Sequence, residues 1–161
     1  STLMRSSAAS DVYKRQVLVL CILAACQQPA IFENYKTIEK ESWLINDTVR
    51  FQVDIPRSGE YDFNVGIRHT TDYEMANLWC FIQIKDSAQT ILRDTLNIKI
   101  AEPDGRWLGK GNSIKTLETP SHIHMLNAGK YTFDIIQGMR TRSLNGIKNV
   151  GLVIRTKETN H

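Results

Sequence analysis

Thr48-Val49-Arg50-Phe51-Gln52-Val53-Asp54-Ile55 decides the fold. Apolar Val49, Phe51, Val53 and Ile55 alternate with Arg50, Gln52 and Asp54, and a side-chain period of two sends the two sets to opposite faces of an extended strand. Pro56-Arg57-Ser58-Gly59 follows with the composition of a turn. Tyr61, Phe63, Val65 and Ile67 then repeat the alternation against Asp62, Asn64 and Gly66. The two runs are expected to form a hairpin.

Working outward, the second run has an internal echo. Gly59-Glu60-Tyr61-Asp62-Phe63-Asn64-Val65 returns as Gly129-Lys130-Tyr131-Thr132-Phe133-Asp134-Ile135. Each copy opens on a turn glycine and puts two aromatics on one face, a pattern frequent in jelly-roll-like and carbohydrate-binding sandwiches. Two copies are too few for a solenoid, so they read as equivalent strands in two facing sheets. Leu78 to Ile84 supplies a further strand, apolar enough to be covered on both faces at one end. Thr90 to Ile100 adds another, with Leu96, Ile98 and Ile100 on one side. His122 to Leu126 and the run Val150, Leu152, Ile154 complete seven short strands with no convincing long helix; Met139 to Leu144 has room for one helical turn at most. The expected fold is an all-β, single-domain antiparallel β-sandwich of jelly-roll-like form over residues 41–157.

The N-terminal part is organised differently. Val17 to Ala25 is an apolar run of nine residues that meets Cys26 and then the polar Gln27-Gln28. Nine helical residues rise only about 14 Å against a bilayer core of roughly 30 Å, so the run does not span a membrane as a helix. It has the length of a signal-peptide apolar region, truncated here to residues 17–25. Leu23-Ala24-Ala25-Cys26 resembles the bacterial lipobox, which implies cleavage before Cys26 and lipidation of its thiol. Residues 26–40, with Pro29 and several charges, read as a lipidated tether. Asp11-Val12-Tyr13-Lys14-Arg15-Gln16 looks like a translated sequencing adapter, so residues 1–16 are set aside as an artefact.

Setting them aside changes the charge argument. The whole chain carries +3, and residues 1–16 contribute three positives (Arg5, Lys14, Arg15) and one negative (Asp11), leaving +1 for the rest. A near-neutral body offers no electrostatic case for nucleic acid, whose binding rests on many phosphate contacts. Lysines and arginines are scattered, so a polybasic membrane patch is unsupported as well. Cys80, within Leu78-Trp79-Cys80-Phe81-Ile82, reads as a small buried hydrophobe.

Most candidate chemistry fails on spacing. Gly105-Arg106-Trp107-Leu108-Gly109-Lys110-Gly111 has one residue too few between its first glycines for a phosphate loop, and Gly111 stands where Ser or Thr must hold magnesium. His122 and His124 share a strand face, but no third ligand lies at defined spacing, so they read as polar-face histidines and no metal is assigned. No nucleophile arrangement appears. Asp54, Asp62, Asp94 and Asp134 alternate outward, as on a solvated face. No catalytic residue and no cofactor is expected, and the chain reads as a non-enzyme. Trp79 lies in an apolar run and is expected in the core. The loop from Asp104 to Gly111 is the candidate interaction site, with Arg106 and Trp107 as its side chains; Trp107 either recognises a partner or fills the core.

Taken in order, several elements carry a resemblance: Trp43, Gly59-x-Tyr61, Arg68-His69, Asn77-Leu78-Trp79, Asp94-Thr95, Gly105-Arg106-Trp107-Leu108-Gly109-x-Gly111, Gly129-x-Tyr131-x-Phe133, Met139-Arg140, Leu144-x-Gly146-Ile147 and Val150-Gly151-Leu152. From about Phe32 to Lys157 the chain resembles the GldH family of gliding-motility lipoproteins. The resemblance implies a palmitate-bearing lipoprotein of Bacteroidetes-type bacteria, part of the gliding machinery and associated with type IX secretion. Its implied partners are the membrane, through the lipid anchor, and other gliding or secretion envelope proteins. Gln27 after the lipidated cysteine, in place of Asp, points to the outer membrane. The alternative is a surface glycan-binding lipoprotein with a carbohydrate-binding-module-like sandwich, which requires exposed aromatics along one face or in neighbouring loops.

Overall fold

The computed structural model describes residues 29–157, so the expectations for residues 1–16, for the signal region 17–25 and for Cys26 lie outside the described residues. Among the described residues eleven strands run in chain order: β1 (Ala30–Thr37), β2 (Ser42–Leu44), β3 (Thr48–Ile55), β4 (Gly59–His69), β5 (Asn77–Lys85), β6 (Thr90–Lys99), β7 (Lys115–Glu118), β8 (His122–Leu126), β9 (Gly129–Gln137), β10 (Ser143–Asn145) and β11 (Ile147–Thr156). No helix among the described residues is long and apolar enough to cross a membrane.

One sheet has the order β1-β11-β4-β7, with β8 also on β4; the facing sheet has the order β3-β9-β5-β6; β10 and β2 form a small ribbon. All pairings are antiparallel. Most connections switch between the sheets, and the first long strand pairs with the last, as in a jelly roll. The expected sandwich is present.

The expected hairpin is not. Among the described residues β3 pairs only with β9, and β4 pairs with β11, β7 and β8, so the Pro56–Gly59 turn carries the chain from one sheet to the other. Period two says that each strand has one inner face and leaves open which sheet receives it. Both arrangements keep Phe51 and Phe63 inside, and the structure adopts the crossing one. The Gly-x-Tyr-x-Phe copies do sit in facing sheets: Phe63 of β4 and Phe133 of β9 meet edge to face at 6.0 Å between ring centres. Both are almost wholly excluded from solvent, among a core that includes Trp43, Phe51, Tyr61, Ile82 and Leu152.

A second correction concerns the expected tether. Residues 30–37 of the 26–40 stretch form β1, whose Tyr35 pairs opposite Gly151 of β11, itself opposite Gly66 of β4. The Tyr35 ring lies across both glycines, where a Cβ would overlap it, and Arg68 stacks on that ring at 3.9 Å. Two glycines side by side in a sheet thus have a packing reason. Residues 30–37, expected in the tether, are thus part of the sandwich.

Asp134 is the third. It points to the outer face of its sheet, as its parity requires, yet it is buried. Arg50 Nε and Lys85 Nζ close over it at 2.6 and 2.7 Å. Burial alone would raise its carboxyl; the hydrogen bonds and charges of Arg50 and Lys85 outweigh that and hold it below the usual carboxylate range. Cys80 is buried as expected, and its burial pushes the thiol well above its ordinary value.

Candidate functional site

β4 carries the chain from one pole of the sandwich to the other. Its eleven residues span about 33 Å at a strand rise of roughly 3.3 Å. The Gly59 end lies near the start of β1, and the His69 end gathers the loops 70–76, 100–114 and 138–142 at the opposite pole. Arg106 and Trp107 belong to that opposite pole.

Local backbone bonds shape their loop. Ile100 and Ala101 donate to the Ala76 carbonyl at 2.8 and 3.0 Å, which carries the edge of β6 past its last residue. The chain then turns over Pro103-Asp104-Gly105. Gly105 N–H donates to Glu102 O at 2.9 Å, and Glu102 N–H donates to Arg106 O at 2.9 Å. Gly105 has φ 83°, a left-handed conformation that costs glycine little and other residues more. Ala101 and Trp107 pair as a bridge at the base. The result is a miniature hairpin with Arg106 near its tip.

The two candidate side chains have different surroundings. Trp107 is half-buried, with its ring 5.2 Å from the His69 ring and packed against the core. Arg106 stands in solvent with its side chain 75% exposed, 3.9 Å from the equally open Asp104 carboxylate. Such a surface pair is weak and leaves the guanidinium free to engage elsewhere. Trp107 is therefore the foot of the loop and Arg106 its projecting group.

Under the foot lies an unusual histidine. His69 is fully buried; its Nδ1 bonds the Thr70 carbonyl at 2.9 Å, and its Nε2 is buried without a hydrogen-bond partner. Desolvation lowers its pKa, so the ring is neutral, with Nδ1–H donating and Nε2 left as a bare acceptor. Tyr73 also tilts against this ring at 6.0 Å, and it donates its hydroxyl to Asn77 O at 2.8 Å. Loops 70–76 and 100–108 are thereby locked together.

Sequence reasoning placed Trp79 in the core, and the structure places it outside. Trp79 and Phe81 are 41% and 44% exposed on the outer face of β5. With Met75, Asn77, Met139 and Arg140 they line an open groove of about 610 Å³ at the same pole. Buried Gln137 shapes one wall: its Nε2 donates to Thr141 O and its Oε1 accepts from Met139 N–H, fixing the turn that carries Met139 and Arg140. The signal was in the strand's parity. Leu78, Cys80, Ile82 and Ile84 are one set, so Trp79 and Phe81 share a face with Gln83 and Lys85.

His122 and His124 are also relocated. They pair opposite Phe63 and Tyr61 and so face inward, and His122 stacks on Phe63 at 5.7 Å with its Nδ1 3.7 Å from Asp94. Among the described residues no three His, Cys, Asp or Glu side chains are grouped to hold a metal.

Three kinds of similarity bear on identity. The GldH lipoprotein family model matches residues 30–154. A gliding motility lipoprotein GldH homolog of Christiangramia forsetii is 27% identical over 166 residues, covering 96% of this chain and 99% of its own. Gliding motility lipoprotein GldH of Flavobacterium johnsoniae is 27% identical over 151 residues, covering 88% and 94%. Among solved structures, a family 35 carbohydrate binding module from Clostridium thermocellum superposes with TM-score 0.46 at 14% identity, covering 79% of this chain and 90% of its own. A family match running from the first strand of the sandwich into its last means that this chain belongs to the GldH lipoprotein family.

Proposed function

We propose that this protein is a lipid-anchored cell-envelope component of the gliding motility machinery, held at the outer membrane through Cys26, associated with type IX secretion, and acting by binding rather than catalysis. The observation that carries the reading is the family match over the whole described domain, together with relatives of nearly equal length that bear the name gliding motility lipoprotein. Anchoring at Cys26 puts the Gly59 pole next to the membrane, with the Arg106 pole at the other end of β4, about 33 Å along the strand.

In this reading the far pole docks another envelope protein. Its hairpin is pre-set by backbone bonds and by the Trp107–His69 contact, so little conformational freedom is lost when Arg106 engages a partner. Arginine is among the residues enriched at binding hot spots, where truncation costs about 2 kcal/mol or more. The test is complementation of a gliding strain that lacks its own copy. The intact chain should restore spreading colonies, and Cys26→Ser should not. Spreading without any copy would end the proposal.

One observation favours a second reading, glycan binding: Trp79 and Phe81 offer exposed aromatic faces beside Asn77 and Arg140 in the groove. Sedimentation with insoluble polysaccharide, lost in Trp79→Ala, would favour it; equal sedimentation of both proteins would count against it.

A further inference from the structure

The short distance in sequence between Cys26 and the first strand gives the sandwich an orientation. Only four residue steps separate Cys26 from Ala30, a reach of at most about 14 Å even when fully extended. Ala30 pairs with Arg155, Arg155 with Asp62, and Asp62 with Ile123, one row across four strands. At a strand spacing of roughly 4.8 Å the row is about 14 Å wide. Ile123 therefore lies level with Ala30, the residue four steps along the chain from Cys26.

That end of the molecule also has apolar side chains in solvent. Ile123 and Met125 are 46% and 61% exposed, two residues apart on β8, and both point to the outer face of the sheet. Ile31, beside the anchor point, is 38% exposed. His122 and Leu126, of the opposite parity, turn inward as a half-buried strand requires, so the outer positions of β8 would ordinarily be polar. Two large apolar groups there, a tether's length from a lipid, have an occupant at hand.

We infer that the outer face of β8, through Ile123 and Met125, rests on the lipid surface to which Cys26 is anchored. The inference rests on anchoring at Cys26. One acyl chain gives only marginal membrane attachment and a second signal makes it stable; the β8 contact adds orientation to such an anchor. It lays the start of β1 and the β8 part of its sheet on the bilayer and leaves the Arg106 pole at the far end of β4 from that contact.

Site-directed spin labelling of the full lipidated chain in phospholipid vesicles tests this. Cys80 is buried and a lipidated Cys26 has no free thiol, so a new surface cysteine takes the label selectively. Labels at Met125→Cys and at Arg106→Cys are compared for relaxation by oxygen, which enters lipid, and by a water-soluble nickel chelate. The inference expects the label at 125 to be shielded from nickel severalfold more than the label at 106, with the opposite order for oxygen. Equal nickel access at both positions, with Cys26 unreactive, overturns the inference and leaves the anchor intact. Reaction of Cys26 itself with the label in the unsubstituted chain overturns the anchor, and the inference falls with it.

Discussion

Replacing Phe133 by alanine removes the ring at the centre of the contact between the sheets. Phe133 is fully buried and meets Phe63 edge to face at 6.0 Å. Truncating a buried phenylalanine costs about 3–5 kcal/mol through lost transfer energy and the cavity left behind. The edge-to-face pair accounts for about 0.5–1.5 kcal/mol of that beyond simple burial. A domain of this size has about 5–15 kcal/mol in total, so Phe133→Ala should remove a large share of its stability. In urea, with a slope of about 2 kcal/mol per molar, the midpoint should fall by about 2 M. Gln52→Ala, on the exposed face of β3, should change the stability by no more than about 0.5 kcal/mol. A cycle with Phe63→Leu and Phe133→Leu should return a coupling of about 0.5–1.5 kcal/mol. A Phe133→Ala cost below about 1 kcal/mol, or a coupling of zero, would show that β4 and β9 do not face each other across the core.

Three further outcomes follow from individual side chains. Asp134→Ala should destabilise by no more than about 1 kcal/mol, because the Arg50 and Lys85 side chains that lose their acceptor are partly open to water. Its carboxyl is held below its unfolded value, so its contribution is present above about pH 4 and is lost as pH falls through the folded pKa; Asp134→Asn should lack that part of the acid transition in urea melts. His69 has the reverse sign. Its pKa is lowered by burial, so the unfolded state takes up a proton below about pH 6.5 that the native ring refuses, and stability should decline from there toward the folded pKa. His69→Gln should flatten that slope, as read from thermal midpoints between neutral and mildly acid pH, whatever its effect on absolute stability. Radiolabelled palmitate should enter the native-start protein and not Cys26→Ser; equal labelling of the two would remove the anchor from the account.

What the sequence made legible was each strand with a clean alternation. β3 and β6 are placed within a residue of expectation, and β9 within two, because one face of each is apolar and the other is not. β1 was hidden because Ala30–Thr37 has no sustained period; pairing with β11 and the Tyr35 contact over Gly151 make it a strand, and both are long-range facts. The short strands β2, β7 and β10 likewise owe their form to partners distant in sequence. Asp134 was misread by residue type: a carboxylate on an outer face is solvated only if no cations close over it, and Arg50 and Lys85 lie far off in the chain. Trp79 was misread by the opposite error, since its apolar neighbours outweighed the parity that Gln83 and Lys85 disclose. The loop was found through its glycines, but the division between Trp107 as foot and Arg106 as contact needed His69 beneath it.

The central claim is that the pole away from the anchor docks the gliding apparatus through Arg106. Arg106→Glu reverses the charge of a side chain that is 75% exposed and that packs against nothing in the core, so fold and lipidation should be preserved. The direct measurement is colony spreading of a strain lacking its own copy and expressing that variant, alongside its thermal midpoint and palmitate content. The account predicts an unchanged midpoint, full lipidation and no restoration of spreading. Full restoration by the folded, lipidated variant would contradict it.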